Sequence, residues 1–286
     1  MSTKLAVVKV DEETGNKIAL SNMRFRIKAL AKTADFKAGD YVGYWAWNPL
    51  PHYVNEWTTS EDGTVMLEMS LKAGTYQIEE FEAPDGYLKN HEPLVFTITG
   101  GWHQQVGPDD ITLITTVSFE DEPVKGQVQI DKQAELFKGY QSEMTDHGEL
   151  FTPVYEKGLL AGAKFVITAK TDIIGMDGKV WYHAGDKVET LVSDGENLTT
   201  SSLLPIGSEG SNIYTLQEIE TAEGYVVDPT VRDFRFDYVD EETAVVAPTW
   251  LDENGKEIEA ESTITLDNEK QTALAVTSKV METSIF

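Results

Sequence analysis

The chain of 286 residues carries 23 Lys and Arg against 49 Asp and Glu, and its net charge of −26 argues against binding to nucleic acid or to an anionic membrane. It contains no cysteine, which excludes disulfides, thiolate nucleophiles and cysteine-based zinc sites. Because 41% of its residues are apolar, it can bury a core, and its length suits about two domains.

Alternation of apolar and polar residues predicts β-strands along most of the chain, since side chains two apart lie on the same face of a strand. The alternation is clear over residues 24–29, 165–169, 234–238 and 264–266, and turn sequences such as Pro84-Asp85-Gly86 separate these stretches. No stretch has the pattern of an amphipathic helix of three turns. The sequence therefore predicts an all-β protein built from sandwiches.

An internal repeat divides the chain into two similar halves. The opening strand over residues 5–11 is matched by residues 128–133. In each copy a Tyr precedes a Glu by four residues, and a second Tyr follows that Glu by seven. The matched positions are Tyr76, Glu80 and Tyr87 in the first copy and Tyr214, Glu218 and Tyr225 in the second.

Proline and glycine at residues 123–126 interrupt the strand pattern between the two copies. We therefore expect one domain over residues 1–123 and a second over residues 124–270, arranged as tandem sandwiches. Residues 137–158 have no counterpart in the first copy, and we expect them to form a surface excursion. The tail, residues 271–286, resembles the first strand of a further domain with Lys279 in the position of the earlier lysines; a disordered terminus is the alternative.

Three polar side chains in each copy are predicted to point into the apolar interior, because each lies two residues from an inward-facing apolar residue on its strand. A Lys comes from the opening strand, a Glu from a middle strand, and an Asp or Asn from the last strand. These residues are Lys9, Glu80 and Asp121 in the first copy and Lys132, Glu218 and Asn268 in the second. Strand alternation is expected to direct the neighbouring Glu79, Glu82 and Glu220 outward.

An isolated charge in an apolar core is costly, so buried ionisable groups must pair, become neutral or react. Burial lowers the pKa of a Lys and raises that of a Glu, which favours a neutral, nucleophilic amine and a protonated carboxyl that serves as a general acid. Lys9 could then attack the Asp121 carboxyl with loss of water, and Lys132 the Asn268 carboxamide with loss of ammonia. An unreacted buried ion triad is the alternative, and a lone Lys at such a position is more often a snorkelling edge residue.

These residues resemble the Cna B-type domains, also called SpaA-type or prealbumin-like domains, of Gram-positive surface proteins and pilins. The resemblance rests on the two lysine strands, on segments 80–87 and 160–165, and on the terminal Asp121 and Asn268; it covers nearly all of residues 4–270. It implies two tandem Ig-like sandwiches, each with a Lys joined to an Asn or Asp under a catalytic Glu.

The roles of individual residues are carried over by position from this resemblance. The catalytic residues are then Glu80 and Glu218, and the crosslinks join Lys9 to Asp121 and Lys132 to Asn268. The sequence departs from the commoner family pattern at Asp121 in place of Asn, at Asn22-Met23 in place of Gly-Ala, and at Ala222-Glu223 in place of Ala-Pro. The first copy is therefore expected to form the rarer Lys–Asp bond.

The resemblance also implies a structural or adhesive segment of an extracellular bacterial cell-surface or pilin-like protein, and not a turnover enzyme, because each domain reacts once with itself. The expected partners are a host or matrix protein or a glycan, and the neighbouring domains of the parent chain. We expect no cofactor and no metal. No apolar stretch approaches the ~20 residues of a membrane span and residues 1–10 lack a signal-peptide profile, so we expect no membrane insertion and place any wall anchor outside this chain.

A run of aromatic residues in the first copy is the main alternative site. Exposed aromatic rings on a sandwich suit sugar rings or a protein partner, which makes a binding module without crosslinks the alternative function. Aromatic residues on a strand and its following loop more often fill the edge of a core, and we favour that interpretation. The possible ligand-binding residues are Trp45, Trp47, Tyr53 and Trp57, and the run also contains Tyr41, Tyr44 and His52.

Carboxylates elsewhere give weaker signals. The acidic group Asp237, Asp240, Glu241 and Glu242 lacks the glycine and the alternating oxygen ligands of a calcium loop, so we expect a solvated run of charge. A glycoside-active enzyme would need two carboxylates across a cleft, which nothing in the sequence predicts. An accessory sandwich whose lysines stay free is the remaining alternative.

Overall fold

The computed structural model describes residues 2–99, 105–106, 113–146, 148–259 and 263–271. Within these ranges the chain forms strands, turns and bends without a helix, so the predicted all-β class is confirmed. Among the same residues, none belongs to a helix that could cross a membrane. The predicted tail strand with Lys279 lies outside the described residues.

The first half of the chain forms two four-stranded sheets. Its strands are β1 (Ser2–Asp11), β2 (Arg24–Ala29), β3 (Tyr44–Ala46), β4 (His52–Val54), β5 (Trp57–Thr58), β6 (Thr64–Lys72), β7 (Gly74–Glu82), β8 (Leu94–Ile98), β9 (Gln105–Val106) and β10 (Leu113–Asp121). One sheet has the order β6-β1-β10-β9 and the other the order β5-β2-β7-β8, while β3 and β4 pair only with each other. The inward faces of the two four-stranded sheets enclose the core between them.

The second half repeats this plan with additional short strands. Its strands are β11 (Lys125–Gly126), β12 (Gln129–Thr145), β13 (Gly148–Leu159), β14 (Ala161–Ala169), β15 (Ile173–Ile174), β16 (Val180–Tyr182), β17 (Lys187–Asp194), β18 (Thr199–Thr200), β19 (Leu204–Pro205), β20 (Tyr214–Glu220), β21 (Val231–Phe236), β22 (Val245–Val246), β23 (Pro248–Leu251) and β24 (Thr263–Asn268). The larger sheet has the order β17-β14-β20-β21-β23, and it faces the sheet in which β12 pairs with β13, β18 and β24. A three-stranded sheet of short strands, β19-β11-β22, and the pair β15-β16 complete the second half.

Each half has its own hydrophobic core. The first core is built from buried residues between Leu5 and Phe119, and the second from buried residues between Val124 and Leu266. In both halves the opening strand lies parallel to the last one: β1 pairs with β10, and β12 pairs with β24. This shared pairing of first and last strands is the structural counterpart of the repeat in the sequence.

Residues 137–158 form a hairpin arm, which is a more regular structure than the surface excursion that we expected. Strands β12 and β13 continue their antiparallel pairing to Thr145 and Gly148, with one irregularity between Phe137 and Gly139. Large apolar side chains on the arm are exposed, among them Tyr140 at 67%. The arm therefore extends the opening strand beyond the core without adding to that core.

The two halves contact each other through the segment that follows Glu80. Glu241 accepts hydrogen bonds from the backbone N–H of Ala83, through its carboxylate at 2.7 Å, and of Lys89, through its backbone carbonyl at 2.9 Å. His91 lies 2.9 Å from Glu242. The acidic run around residue 241 was expected to be solvated only; the structure shows instead that it holds the loop of the first half.

A second contact joins the first turn of the chain to the second half. Thr14 and Asn16 donate hydrogen bonds to one carboxylate oxygen of Asp177, at 2.7 and 2.9 Å. Nearby, Gly86 has a φ of +90° and lies so close to Met176 that an added Cβ would be 2.6 Å from its Cγ. Glycine is required there both by the left-handed backbone and by the close approach of the other half.

Candidate functional site

The register of the parallel strands places one Lys diagonally opposite one Asp or Asn in each half. Lys9 pairs with Phe119, and Asp121 lies two residues further along β10. In the second half Lys132 pairs with Leu266, and Asn268 again lies two residues further along. Because residues two apart share a face, both side chains of each pair point into the core. The long Lys side chain spans the diagonal.

The glutamate of each site comes from the facing sheet. Glu80 lies on β7 and Glu218 on β20, and each is buried, with 8% and 2% of the whole residue exposed, backbone included. The apolar residues that precede them on the same face, Ile78 and Leu216, are part of the two cores. Each site is therefore assembled across the sandwich from strands far apart in the sequence.

The first site is fully enclosed. The Lys9 Nζ atom contacts Asp121 Oδ2 and lies 2.9 Å from Glu80 Oε1, and the side chains of all three residues are 0% exposed. The Phe119 ring lies beside the amine, with its centroid 4.2 Å from Nζ. Within the described part of the chain, neither Asp121 oxygen has a hydrogen bond of regular geometry, and the polar neighbours of this carboxyl are Lys9 and Glu80.

Burial sets the protonation of the first site. Removal from water raises the pKa of Asp121 to about 7, against the opposing effect of Lys9 and with a further increase from the neighbouring Glu80. Burial also raises the pKa of Glu80, although Lys9 and a backbone N–H oppose that shift. Two carboxyls that share one amine in a dry site therefore keep a proton at a pH where exposed carboxyls are ionised.

The second site has the same geometry with a carboxamide in place of the carboxyl. Lys132 Nζ donates a hydrogen bond to Asn268 Oδ1 and lies 3.5 Å from Glu218 Oε1. The same Glu218 oxygen accepts a hydrogen bond of 2.8 Å from Asn268 Nδ2. Burial lowers the pKa of Lys132, and the nearby Glu218 only partly opposes this. One carboxylate oxygen thus touches the leaving nitrogen and lies near the amine.

A backbone N–H group holds the second oxygen of each glutamate, which the sequence analysis missed. The Asn90 N–H donates to Glu80 Oε2 at 2.8 Å, and the Asp228 N–H donates to Glu218 Oε2 at 3.0 Å. Asn90 and Asp228 each lie ten residues after the glutamate that they contact. The side-chain oxygen of each also accepts a hydrogen bond from the backbone N–H two residues later, which stabilises a turn. The equal spacing of these two residues in the copies is the signal that could have found them.

A β-bulge explains why the neighbouring glutamates stay outside the site. Arg24 pairs with Glu82 and the next residue, Phe25, pairs with Glu80, so Phe81 is the extra residue. Simple alternation would place Glu82 on the same face as Glu80; it predicts an outward side chain only for Glu79. The matching bulge turns Glu220 outward beside Lys164, which donates to it at 2.6 Å. The expected orientation is observed, but for two of the three residues its cause is the bulge.

The aromatic run divides into an exposed part and a buried part. Trp57 is 7% exposed and stacks on Phe25, as expected for a residue at a core edge. Trp45, Trp47 and Tyr53 are 61%, 76% and 42% exposed, so the favoured interpretation is wrong for them. Among the described strands, β3 and β4 pair only with each other, so the hairpin that carries these residues lies outside both four-stranded sheets.

The structure brings no three His, Asp or Glu side chains together in a way that could hold a metal ion within the described ranges. The acidic group that was considered for calcium makes protein contacts instead. Arg235 donates to Asp237 at 2.7 Å, and Asp240 accepts the Glu242 N–H at 3.0 Å. These carboxylates are thus occupied by turns and ion pairs.

Comparison with known proteins gives a family match and several structural likenesses. Residues 3–110 match the SpaA family, described as a prealbumin-like fold domain. No curated protein matches the sequence. Among solved structures, the Bacillus anthracis TIE protein is 17% identical with a TM-score of 0.48; the match covers 94% of this chain and 34% of that protein.

Two pilus proteins are also similar to the chain. The C-terminal fragment of the pilus adhesin SpaC from Lactobacillus rhamnosus GG is 18% identical, with 96% of this chain and 100% of that chain covered and a TM-score of 0.41. GBS52, the minor pilin of Streptococcus agalactiae, is 16% identical, with 97% and 100% covered and a TM-score of 0.30. The resemblance to the SpaA-type, prealbumin-like domains is confirmed, and residues 3–110 are the part of the chain that carries the match.

Proposed function

We propose that this chain is a structural or adhesive segment of an extracellular, Gram-positive cell-surface or pilin-like protein, with domains over residues 1–123 and 124–270. Each domain is stabilised by an intramolecular isopeptide bond that its own residues form. The observation that carries the proposal is the repeated contact, inside a dry core, between a Lys nitrogen and the Asp or Asn of the parallel neighbouring strand. A facing Glu lies within reach of the same nitrogen in both halves.

In the first domain the neutral Lys9 amine attacks Cγ of the protonated Asp121 carboxyl. Glu80 takes a proton from the attacking nitrogen and returns it to the departing oxygen, so that one C–N bond forms, one C–O bond breaks and water leaves. The enclosure of all three side chains keeps competing water away, and the strand register supplies a high effective concentration of the amine.

In the second domain Lys132 attacks Cγ of the Asn268 carboxamide. Glu218 Oε1 lies between the two nitrogen atoms, and it passes the proton from the attacking nitrogen to the leaving one. One C–N bond forms, another breaks, and ammonia leaves. Every reacting group belongs to the chain and reacts once, so this proposal includes neither a cofactor nor turnover of a substrate.

The position of the bonds suits a protein that bears tension. In each domain the bond joins the opening strand to the last strand, near the end of both. A pulling force that enters along β1 would cross from Lys9 to Asp121 and continue directly into β12, by way of residues 122–128. The residues between each crosslinked pair would then lie outside the path of the force and would remain folded under load.

Intact-mass measurement of the full chain tests the proposal. We expect a mass lower than that of the sequence by one water and one ammonia. Glu80→Ala should restore the water alone and Glu218→Ala the ammonia alone, whereas the outward-facing controls Glu79→Ala and Glu220→Ala should keep both losses. Tandem mass spectrometry of a protease digest should yield two branched peptides, one through each Lys. An unmodified chain of full mass would rule out both crosslinks.

The exposed hairpin β3-β4 supports a second candidate function, the binding of a glycan or a protein partner. The rings of Trp45 and Tyr53 are in edge-to-face contact, with their centroids 5.8 Å apart, and both residues are exposed, as is Trp47. We expect Trp45→Ala combined with Trp47→Ala to abolish binding to a glycan array, while Tyr140→Ala, an equally exposed aromatic on the hairpin arm, leaves it unchanged. Equal glycan-array signals from the unmodified chain, the double variant and the Tyr140→Ala control would contradict this function.

A further inference from the structure

We infer that Thr221 stabilises the departing nitrogen when the second crosslinking site loses ammonia, and that it would not assist the loss of water in the same way. This inference rests on the proposed function. Thr221 lies three residues after Glu218, just beyond the end of β20. Its hydroxyl oxygen accepts a hydrogen bond from Asn268 Nδ2, the nitrogen that departs in the proposed reaction. No sequence pattern pointed to this residue.

Thr221 completes the hydrogen bonding of the carboxamide. An amide nitrogen has two N–H donors, and Asn268 directs one to Glu218 and the other to Thr221. The amide oxygen accepts from Lys132. All three polar positions of the carboxamide are thereby fixed, so the oxygen faces the amine and the nitrogen faces the proton donor.

The contact gains importance as the reaction proceeds. When Glu218 transfers its proton, the departing nitrogen becomes ammonium-like and its N–H groups become stronger donors. The Glu218 carboxylate then accepts from one of these groups and the Thr221 hydroxyl from another. A hydrogen bond that strengthens as the C–N bond breaks stabilises the transition state more than the folded, unreacted site.

The first copy provides a natural contrast at the corresponding position. There the residue three after the glutamate is Ala83, which is buried at 5% exposure and offers no hydroxyl. The acyl group of that site is Asp121, whose leaving atom is an oxygen without the paired N–H donors of an amide. The copy that loses ammonia therefore has a hydroxyl acceptor, and the copy that loses water has a methyl group in its place.

The test measures both reactions in one molecule. Full-length chains kept unfolded in denaturant from synthesis onward are diluted into folding buffer, quenched with acid at intervals and weighed intact. We expect Thr221→Val to slow the loss of ammonia about tenfold, since a lost hydrogen bond of about 1.4 kcal/mol changes a rate by that factor. Thr221→Ser, which keeps the hydroxyl, should react close to the normal rate. The loss of water from the first domain should stay unchanged in every variant.

A change of the leaving group separates this role from a purely structural one. In an Asn268→Asp chain the leaving atom is oxygen, and Thr221→Val should then change the rate of water loss from the second domain less than twofold. An equal slowing in the Asn and Asp backgrounds would overturn the inference, as would normal ammonia loss from Thr221→Val. If Thr221→Val does not fold, Thr221→Ala, with the residue of the first copy, is judged by the same outcomes. A wild-type chain that loses no ammonia would overturn the proposed function instead.

Discussion

Replacing Glu80 by Gln should lower the melting temperature of the first domain by roughly 15 to 30 °C. The bond between Lys9 and Asp121 closes a loop of over a hundred residues, and the loop-entropy relation gives roughly 4–5 kcal/mol for such a closure. A change of 1 kcal/mol shifts the melting temperature of a domain of this size by roughly 4–6 °C. Without the glutamate the bond does not form, and the domain loses that constraint on its unfolded state.

Calorimetry of the full chain checks this expectation, because the two domains should melt as separable transitions. Glu79→Gln is the matched control: it lies on the same strand but faces outward, where Lys28 and Tyr41 contact it. Surface ion pairs of this kind contribute about 1 kcal/mol or less, so the control should shift the transition by only a few degrees. The prediction is wrong if both variants melt at the same temperature.

The second domain offers an independent repetition of the same experiment. Glu218→Gln should lower the melting temperature of the domain over residues 124–270 by a similar amount. The melting temperature of the first domain should not change. Its matched control is Glu220→Gln, on the same strand beside exposed Lys164. A shift confined to the domain that carries the substitution would show that each bond stabilises its own sandwich.

The positions of the six site residues could be predicted from the sequence because strand alternation is strict along most of the strands involved. On β1 the buried residues are Thr3, Leu5, Val7, Lys9 and Asp11. A charged residue that continues an apolar series is therefore visible without a structure. The internal repeat added a second, independent instance with the same spacing. What those residues do chemically remains a proposal.

Features that depend on irregular register or on packing between layers could not be predicted. The bulges at Phe81 and Ile219 turn Glu82 and Glu220 outward, where simple alternation would have directed them inward, and no sequence pattern marks these bulges. The hairpin β3-β4 has aromatic residues typical of a core edge, yet it pairs with neither large sheet. Local sequence cannot show whether another layer covers such a hairpin, and this is why the prediction for Trp45 failed.

Contacts between residues distant in the sequence form the other group of missed features. Thr221 approaches Asn268 only because β20 and β24 face each other across the second sandwich. The hold of Glu241 on the loop at Ala83 likewise depends on how the two halves meet. For such pairs a single sequence supplies the residue types but not their distance.

The two crosslinks should respond to pH differently, which is the second large effect that we expect. In the first domain the reactive form of Asp121 is the neutral acid, because a carboxylate resists attack by an amine. Its pKa in the unreacted fold is raised to about 7. Above that pH the acid fraction falls about tenfold for each pH unit. Because both sites need a neutral amine, the rate of water loss should fall by this factor relative to the rate of ammonia loss in the second domain.

The second domain lacks this acidic electrophile. The Asn268 carboxamide does not titrate in this range, whereas Lys132 must be neutral to attack, and burial lowers its pKa. A higher pH increases the fraction of neutral amine, so the rate of ammonia loss should stay level or rise between about pH 6 and about pH 9. Both rates are read from the same samples by intact mass, after unfolded chains are diluted into buffers across this range.

Exchange of the acyl residue provides the decisive comparison, because it changes the electrophile and leaves the surrounding strands in place. Asp121→Asn replaces the titrating acid of the first domain by an amide, so its pH dependence should become that of the second domain. Asn268→Asp should have the reverse effect. Parallel pH profiles in the unmodified chain, or a profile that does not change with the exchange, would show that the protonation of the acyl group does not control the reaction. In that case burial of the triad would act on stability alone, and the Lys–Asp site would have no kinetic advantage from its raised pKa.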